Sequence, residues 1–129
     1  MASNRADVTV AERFLGAFGA HDWEAMRTVL APDLAWSMPG TGTISGTIHG
    51  VDAAVNRLQE IVGRGLDTEL LHILTGENGV TLSLHNTAET PDGRKLDEYL
   101  ATVLTIRDGR VAAIDSYLSD VDGMSAFFN

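Results

Sequence analysis

The second half of the chain consists of four strand-like stretches, ELLHIL, VTLSLHNTAET, KLDEYLATVLTIR and RVAAIDSYL, joined by TGENG, PDGR and RDGR. Each connector sets Asn or Asp beside glycine, the residue types that accept the left-handed backbone of a tight hairpin. A meander of this kind has one face to bury, so something else in the chain must cover it.

The first half supplies helices for that purpose. In TVAERFLGAF, Thr9 and Glu12 have the capping-box spacing, and Ala11, Phe14, Leu15 and Phe18 share one face. Asp22 is a suitable N-cap for a second short helix carrying Trp23, Met26 and Leu30, which APD ends because proline cannot continue a helix. LAWSMPGTGTISGTIHG reads as a short strand running into glycine turns. VDAAVNRLQEIVGRG returns to helical spacing through Val51, Val55, Leu58 and Val62, closing at Gly63 or Gly65. Helices followed by antiparallel strands predict an α+β domain. One domain over 1–129 is expected, with residues from about 120 to 129, ending DGMSAFFN, as a loose tail.

Charge narrows the function classes. Eighteen acidic against nine basic residues give a net charge of −9, which repels phosphate backbones and anionic membrane surfaces. No nucleic-acid partner and no membrane are expected. The chain has no cysteine, so thiolate chemistry and disulfides are excluded. The start MASNRADVTVAERF lacks the pattern of a secretion signal, and no apolar run approaches the roughly 18 residues of a membrane span. A cytoplasmic location is the expectation.

The element order, with AERFLGAFGAHDWEAMRTVLAPDLAW, SGTIHGVDAAV and DGRKLDEYLATVLTIRDGRVAAIDSYLSDVDGM, resembles the SnoaL-like branch of the nuclear transport factor 2-like superfamily over nearly the whole chain. That group includes polyketide cyclases, ketosteroid isomerases and limonene-epoxide hydrolases. The resemblance implies a cone-shaped α+β barrel in which a bent antiparallel sheet wraps around three helices and encloses an apolar pocket. It also implies a small apolar organic ligand, no cofactor, and a homodimer formed through the outer sheet face with Tyr99, Val103 and Tyr117. The fold by itself assigns no reaction.

The inward-facing polar residues must therefore carry the chemistry. In KLDEYLATVLTIR, Leu96, Leu100, Leu104 and Ile106 form an apolar row that Glu98 and Thr102 interrupt. A carboxylate among leucines is costly unless paired or protonated, and such groups concentrate at functional sites. On the last strand Asp115 and Ser116 alternate, and only one can face inward. The resemblance puts Ser116 where the epoxide hydrolases and cyclases keep a catalytic aspartate. Its gapless registration brings His85 and Thr87 to the epoxide hydrolase arginine and aspartate, and brings Ser37 to the water-holding asparagine. It aligns Phe14 and Thr102 with the isomerase tyrosine and protonated aspartate. The familiar acid–base groups are thus replaced.

What remains titratable is His85, with Glu89 two strand steps along and Glu98 across the next hairpin. A histidine beside a carboxylate is a general acid–base pair near neutral pH. The expected catalytic set is His85, Glu89 and Glu98, with Ser37, Thr87, Thr102 and Ser116 donating hydrogen bonds. Phe14, Trp23, Met38, Leu100 and Ile114 would shape the pocket. Plain alternation in VTLSLHNT, however, puts Val80, Leu82 and Leu84 on the face opposite His85, so both placements stay open. No histidine pair has zinc-site spacing, and none of the glycine-rich stretches completes a phosphate-binding motif. No metal is expected. The implied reaction is cofactor-free proton transfer of cyclase, isomerase or dehydratase type. The alternatives are an epoxide hydrolase with a rearranged site and a non-catalytic binding or dimerisation module.

Overall fold

The computed structural model describes residues 2–129. In chain order the elements are α1 (Ala2–Ala20), α2 (Trp23–Val29), β1 (Leu30–Met38), β2 (Gly46–His49), α3 (Val51–Val62), β3 (Asp67–Thr75), β4 (Gly79–Glu89), β5 (Lys95–Arg107), β6 (Arg110–Leu118) and α4 (Val121–Phe128). The three connectors turn the chain as expected. Between β5 and β6 the turn residues are Asp108 and Gly109, with φ of 55° and 73°. Both sit in the left-handed region that a two-residue I′ hairpin requires.

The six strands lie in the order β2-β1-β6-β5-β4-β3, in one bent sheet that does not close into a barrel. The pairs β1·β2, β3·β4, β4·β5 and β5·β6 are antiparallel, while β1 runs parallel to β6. The expected α+β cone is present, but its sheet is mixed where a wholly antiparallel one was expected. β1 and β6 are far apart in sequence, so no tight hairpin fixes their relative direction.

Two helical expectations change. Thr9 lies inside α1, its hydroxyl donating to the Arg5 carbonyl at 3.1 Å, and caps nothing. The segment before it consists largely of residues that tolerate a helix, so the helix begins upstream. The presumed loose tail forms α4. Asp120 caps it by accepting from the Gly123 N–H at 2.9 Å, and Met124, Phe127 and Phe128 are buried at i, i+3 and i+4 spacing. Burial of these three side chains and the hydrogen bonds made to the helix's carbonyls by Arg64, Arg94 and Thr43 together offset the cost of ordering the segment.

α1 and α3 pack on the concave face of the sheet. α3 buries Ala54, Val55, Leu58 and Ile61, and the inward strand rows add Trp36, Leu82, Leu84, Leu104 and Ile114. The glycine-rich loop between β1 and β2 lies against α4. A Cβ on Gly42 would come within 2.9 Å of the Ser125 Cα and carbonyl oxygen, both backbone atoms that cannot swing away. The Gly42→Ala variant is therefore expected to lose about 1–3 kcal/mol by overpacking. A urea titration reads this directly, and an unchanged midpoint would show that the loop and α4 are not pressed together.

Candidate functional site

The concave face holds a cavity with about 630 Å³ of empty space, counting the part that opens to solvent. Its wall is mostly apolar. α1 contributes Phe14, Leu15 and Phe18, and α3 contributes Leu58 and Ile61. The inward strand rows contribute Trp36, Met38, Leu84, Leu96, Leu100 and Ile114, and α4 contributes Met124 and Phe128. Polar groups are few: Thr68, Asn86, Thr102 and Ser116. A concave apolar chamber with a few converging polar groups is the usual form of a small-molecule site.

Ser116 faces this chamber and Asp115 faces the opposite side of β6, as strand alternation requires of neighbours. The Trp36 indole N–H donates to the Ser116 hydroxyl at 3.0 Å, which fixes both side chains in the wall. Behind Trp36 lies the buried Arg57 of α3. Its guanidinium sits 5.2 Å from the indole ring centroid and donates to the Trp36 carbonyl at 3.4 Å and the Ser45 carbonyl at 3.2 Å. Burial lowers the Arg57 pKa, partly offset by Glu60. Arg57 thus links α3, β1 and the glycine-rich loop.

Glu98 has no solvent exposure. It lies on β5 between the lining residues Leu96 and Leu100 and on the same face, opposite Asn86 of β4. Its Oε2 accepts from the Ser119 hydroxyl and from the Asp120 N–H, each at 2.6 Å. Its Oε1 has no hydrogen-bond partner. Burial pushes the Glu98 carboxyl above the usual carboxylate range. The two donated hydrogen bonds pull the other way, and the nearby Asp120 and Asp97 charges add to the rise.

His85 faces away from the cavity, contrary to the expectation from the gapless registration. Its ring stacks on Tyr99 with centroids 4.3 Å apart, Nε2 lies 2.6 Å from Asp97 Oδ1, and Glu69 Oε1 lies 3.7 Å from Nδ1. Val80, Leu82 and Leu84 take the inward row of β4, so the odd-numbered residues point out. Burying three aliphatic side chains outweighs placing one imidazole inside. Thr87 shares the outward row with His85 and is absent from the cavity wall. Glu89 is exposed at the end of β4, 3.5 Å from Lys95 Nζ. The expected trio therefore does not come together, and only Glu98 lies on the inner face.

Of the other expected pocket residues, Phe14, Met38, Leu100, Thr102, Ile114 and Ser116 line the cavity. Trp23 does not; it stacks on His21, with centroids 5.8 Å apart. Ser37 does not either, its hydroxyl lying 2.9 Å from that of Thr47. Asn86 and Thr68 belong to the wall and were not singled out in the sequence. Asn86 had a signal, a polar residue closing the apolar row of Val80, Leu82 and Leu84. Thr68 had none, because a bulge between Leu70 and His72 breaks the alternation of β3. Among the described residues, no helix is long and apolar enough to cross a membrane.

Comparison with known proteins gives one family. The family model described as a SnoaL-like domain matches residues 11–114. Protein Rv0034 of Mycobacterium tuberculosis is 23% identical over 126 residues, covering 95% of this chain and 96% of that protein. Bal32a, from a soil-derived mobile gene cassette, superposes with a TM-score of 0.90 at 25% identity over 98% of both chains. Rv0760c from Mycobacterium tuberculosis, solved in complex with estradiol-17beta-hemisuccinate, superposes with a TM-score of 0.75 at 16% identity, covering 87% of this chain and 92% of that one.

Proposed function

The chain belongs to the SnoaL-like domain family, and from that premise we propose that it binds a small, largely apolar organic molecule in the cavity and moves a proton on it without a cofactor. The observation that carries this reading is a buried carboxyl, Glu98, set among the lining residues Leu96, Leu100 and Asn86 with its Oε1 unpartnered. Ionised Glu98 Oε1 takes the proton from a carbon next to a carbonyl, and the electron pair moves onto the carbonyl oxygen as an enolate. Thr102 and Ser116 hydroxyls in the wall donate to that charge. In a β,γ-unsaturated ketone the enolate is conjugated, so return of the proton from Glu98 to the far carbon completes an isomerisation; in a saturated ketone it returns to the same carbon as exchange. The steroid derivative bound by Rv0760c supports the size and apolar character of the ligand.

Homodimerisation through the outer sheet face belongs to the same reading. Tyr99 is 55% and Tyr117 63% exposed there, with Val103 on the same face. Their apolar rings are suited to burial against a second copy.

Menthone, an apolar ketone with exchangeable protons beside its carbonyl, is the probe. In deuterium oxide the protein is expected to accelerate deuterium uptake with saturation in menthone. The Leu100→Trp variant, which fills the cavity, should raise the half-saturation concentration about tenfold, since displacing a well-packed ligand costs at least about 1.4 kcal/mol. Uptake that never saturates, or that survives Leu100→Trp unchanged, would sink the reading.

A further inference from the structure

Three strands place three polar side chains in one line. Thr68 of β3 is the register partner of Asn86 of β4, and Asn86 is the register partner of Glu98 of β5. Thr68 and Asn86 line the cavity, while Glu98 sits between the lining residues Leu96 and Leu100. Asn86 is 6% exposed and Glu98 fully buried. Each of the three leaves one oxygen without a partner: Thr68 Oγ1, Asn86 Oδ1 and Glu98 Oε1. They are three of the four buried, unpartnered side-chain polar atoms among the described residues, so the deficit is concentrated in this row.

Buried polar atoms are nearly always satisfied, and each one left bare costs free energy. A scattered set could reflect local packing. A contiguous set along the wall of an apolar chamber instead indicates a group that arrives from outside and satisfies them together. Neighbouring register partners have Cβ atoms about 4.5–5.5 Å apart, close enough for one small ligand group to contact two of them.

The chemistry of the row selects that group. Glu98 Oε2 is already filled by the Ser119 and Asp120 donors, which leaves Oε1 as its free oxygen. Asn86 Oδ1 is an acceptor, the Thr68 hydroxyl accepts or donates, and Glu98 Oε1 accepts when ionised and donates when protonated. A hydroxyl accepts and donates through a single oxygen and so completes such a pair. An ether or a carbonyl accepts only, leaving Asn86 Oδ1 bare, and a hydrocarbon leaves the whole row bare.

We infer that Thr68 and Asn86, next to Glu98 in this row, form the specificity edge of the cavity and recognise a hydroxyl group on a largely apolar ligand. This rests on the cavity being the ligand site and adds which ligands it prefers. The row selects by leaving its own atoms unpaired when the hydroxyl is missing, the mechanism by which polar sites reject close analogues.

Three molecules of one carbon skeleton test it: thymol, thymol methyl ether and p-cymene, each titrated into the full chain by calorimetry. Thymol is expected to bind at least about tenfold more tightly than either analogue. In the near-isosteric Asn86→Leu variant the preference should fall to about twofold or less, with p-cymene binding as well as or better than before. Thr68→Val is a milder change that keeps the shape of the wall, and it should narrow the preference without abolishing it. Equal binding of the three by the natural chain, or an undiminished preference in Asn86→Leu, would overturn the inference while leaving the cavity reading intact. Failure of all three to bind would overturn the cavity reading and the inference with it.

Discussion

Glu98→Gln is expected to slow deuterium uptake into menthone by about 10²–10⁴-fold, the usual contribution of a positioned general base. The substitution suits the site because glutamine keeps the shape of a protonated glutamic acid. Its carbonyl oxygen can accept from the Ser119 hydroxyl and the Asp120 N–H, as Glu98 Oε2 does, while its NH₂ takes the place of Oε1. The fold is retained and the base is lost. In the natural chain the rate should rise with pH through a midpoint above the ordinary carboxylate value of 4.5, since burial raises the Glu98 pKa. A Gln variant with natural turnover would exclude Glu98 as the proton carrier.

The same group sets a stability signature with a definite sign. A carboxyl whose folded pKa is raised holds its proton more tightly when folded than when unfolded. The stability it contributes is fully present below the unfolded pKa and is lost as pH rises toward the folded one. Within that window the natural chain loses about 1.4 kcal/mol per pH unit through this group. The natural chain and Glu98→Gln should therefore be nearly equal in stability at pH about 4, and above it the Gln variant should become the more stable of the two. Denaturant titrations over a pH series measure the difference, and parallel curves would mean that Glu98 carries no raised pKa.

How much of this was legible in the sequence depends on which signal each residue gave. The hairpins could be read because Asp108-Gly109 and its counterparts are local: the turn chemistry needs no knowledge of the rest of the chain. Glu98 could be read because a carboxylate in a row of leucines is anomalous wherever the row faces. Its partners could not be, since Ser119 and the Asp120 N–H reach it from the turn before α4, which no periodicity announces.

His85 and Asn86 show the opposite case. Alternation within β4 was sufficient to turn His85 outward and Asn86 inward, and the structure follows it. The registration carried across two hairpins from related enzymes put His85 inside, and a change of one residue in register exchanges the two faces of a strand completely. On β6 the same registration put Ser116 inside, where the structure also has it. A local pattern of buried aliphatic residues is therefore the stronger guide on β4, while across the single hairpin to β5 the correspondence held for Thr102, which lines the cavity.

Phe128→Ala is expected to destabilise the protein by about 3–5 kcal/mol, the range for removing a buried aromatic ring. The ring is 1% exposed and meets Phe127 edge-on with centroids 5.1 Å apart. Arg64 lies 5.8 Å from the ring centroid and donates to the Phe127 and Phe128 carbonyls, and the Thr43 hydroxyl also donates to the Phe128 carbonyl. Arg94 adds bonds to the Ala126, Phe127 and Asn129 carbonyls. These donors satisfy the carbonyls that a helix end leaves free. A helix of eight residues is too short to persist alone, so α4 depends on this seat and on its two rings. Phe127→Ala should cost a similar amount, but Phe127 does not line the cavity and Phe128 does. Only the Phe128 variant should also change ligand affinity. Chemical denaturation and thymol titration on the two variants separate stability from site geometry. A loss below about 1 kcal/mol for both would mean that residues 121–128 behave as a tail after all.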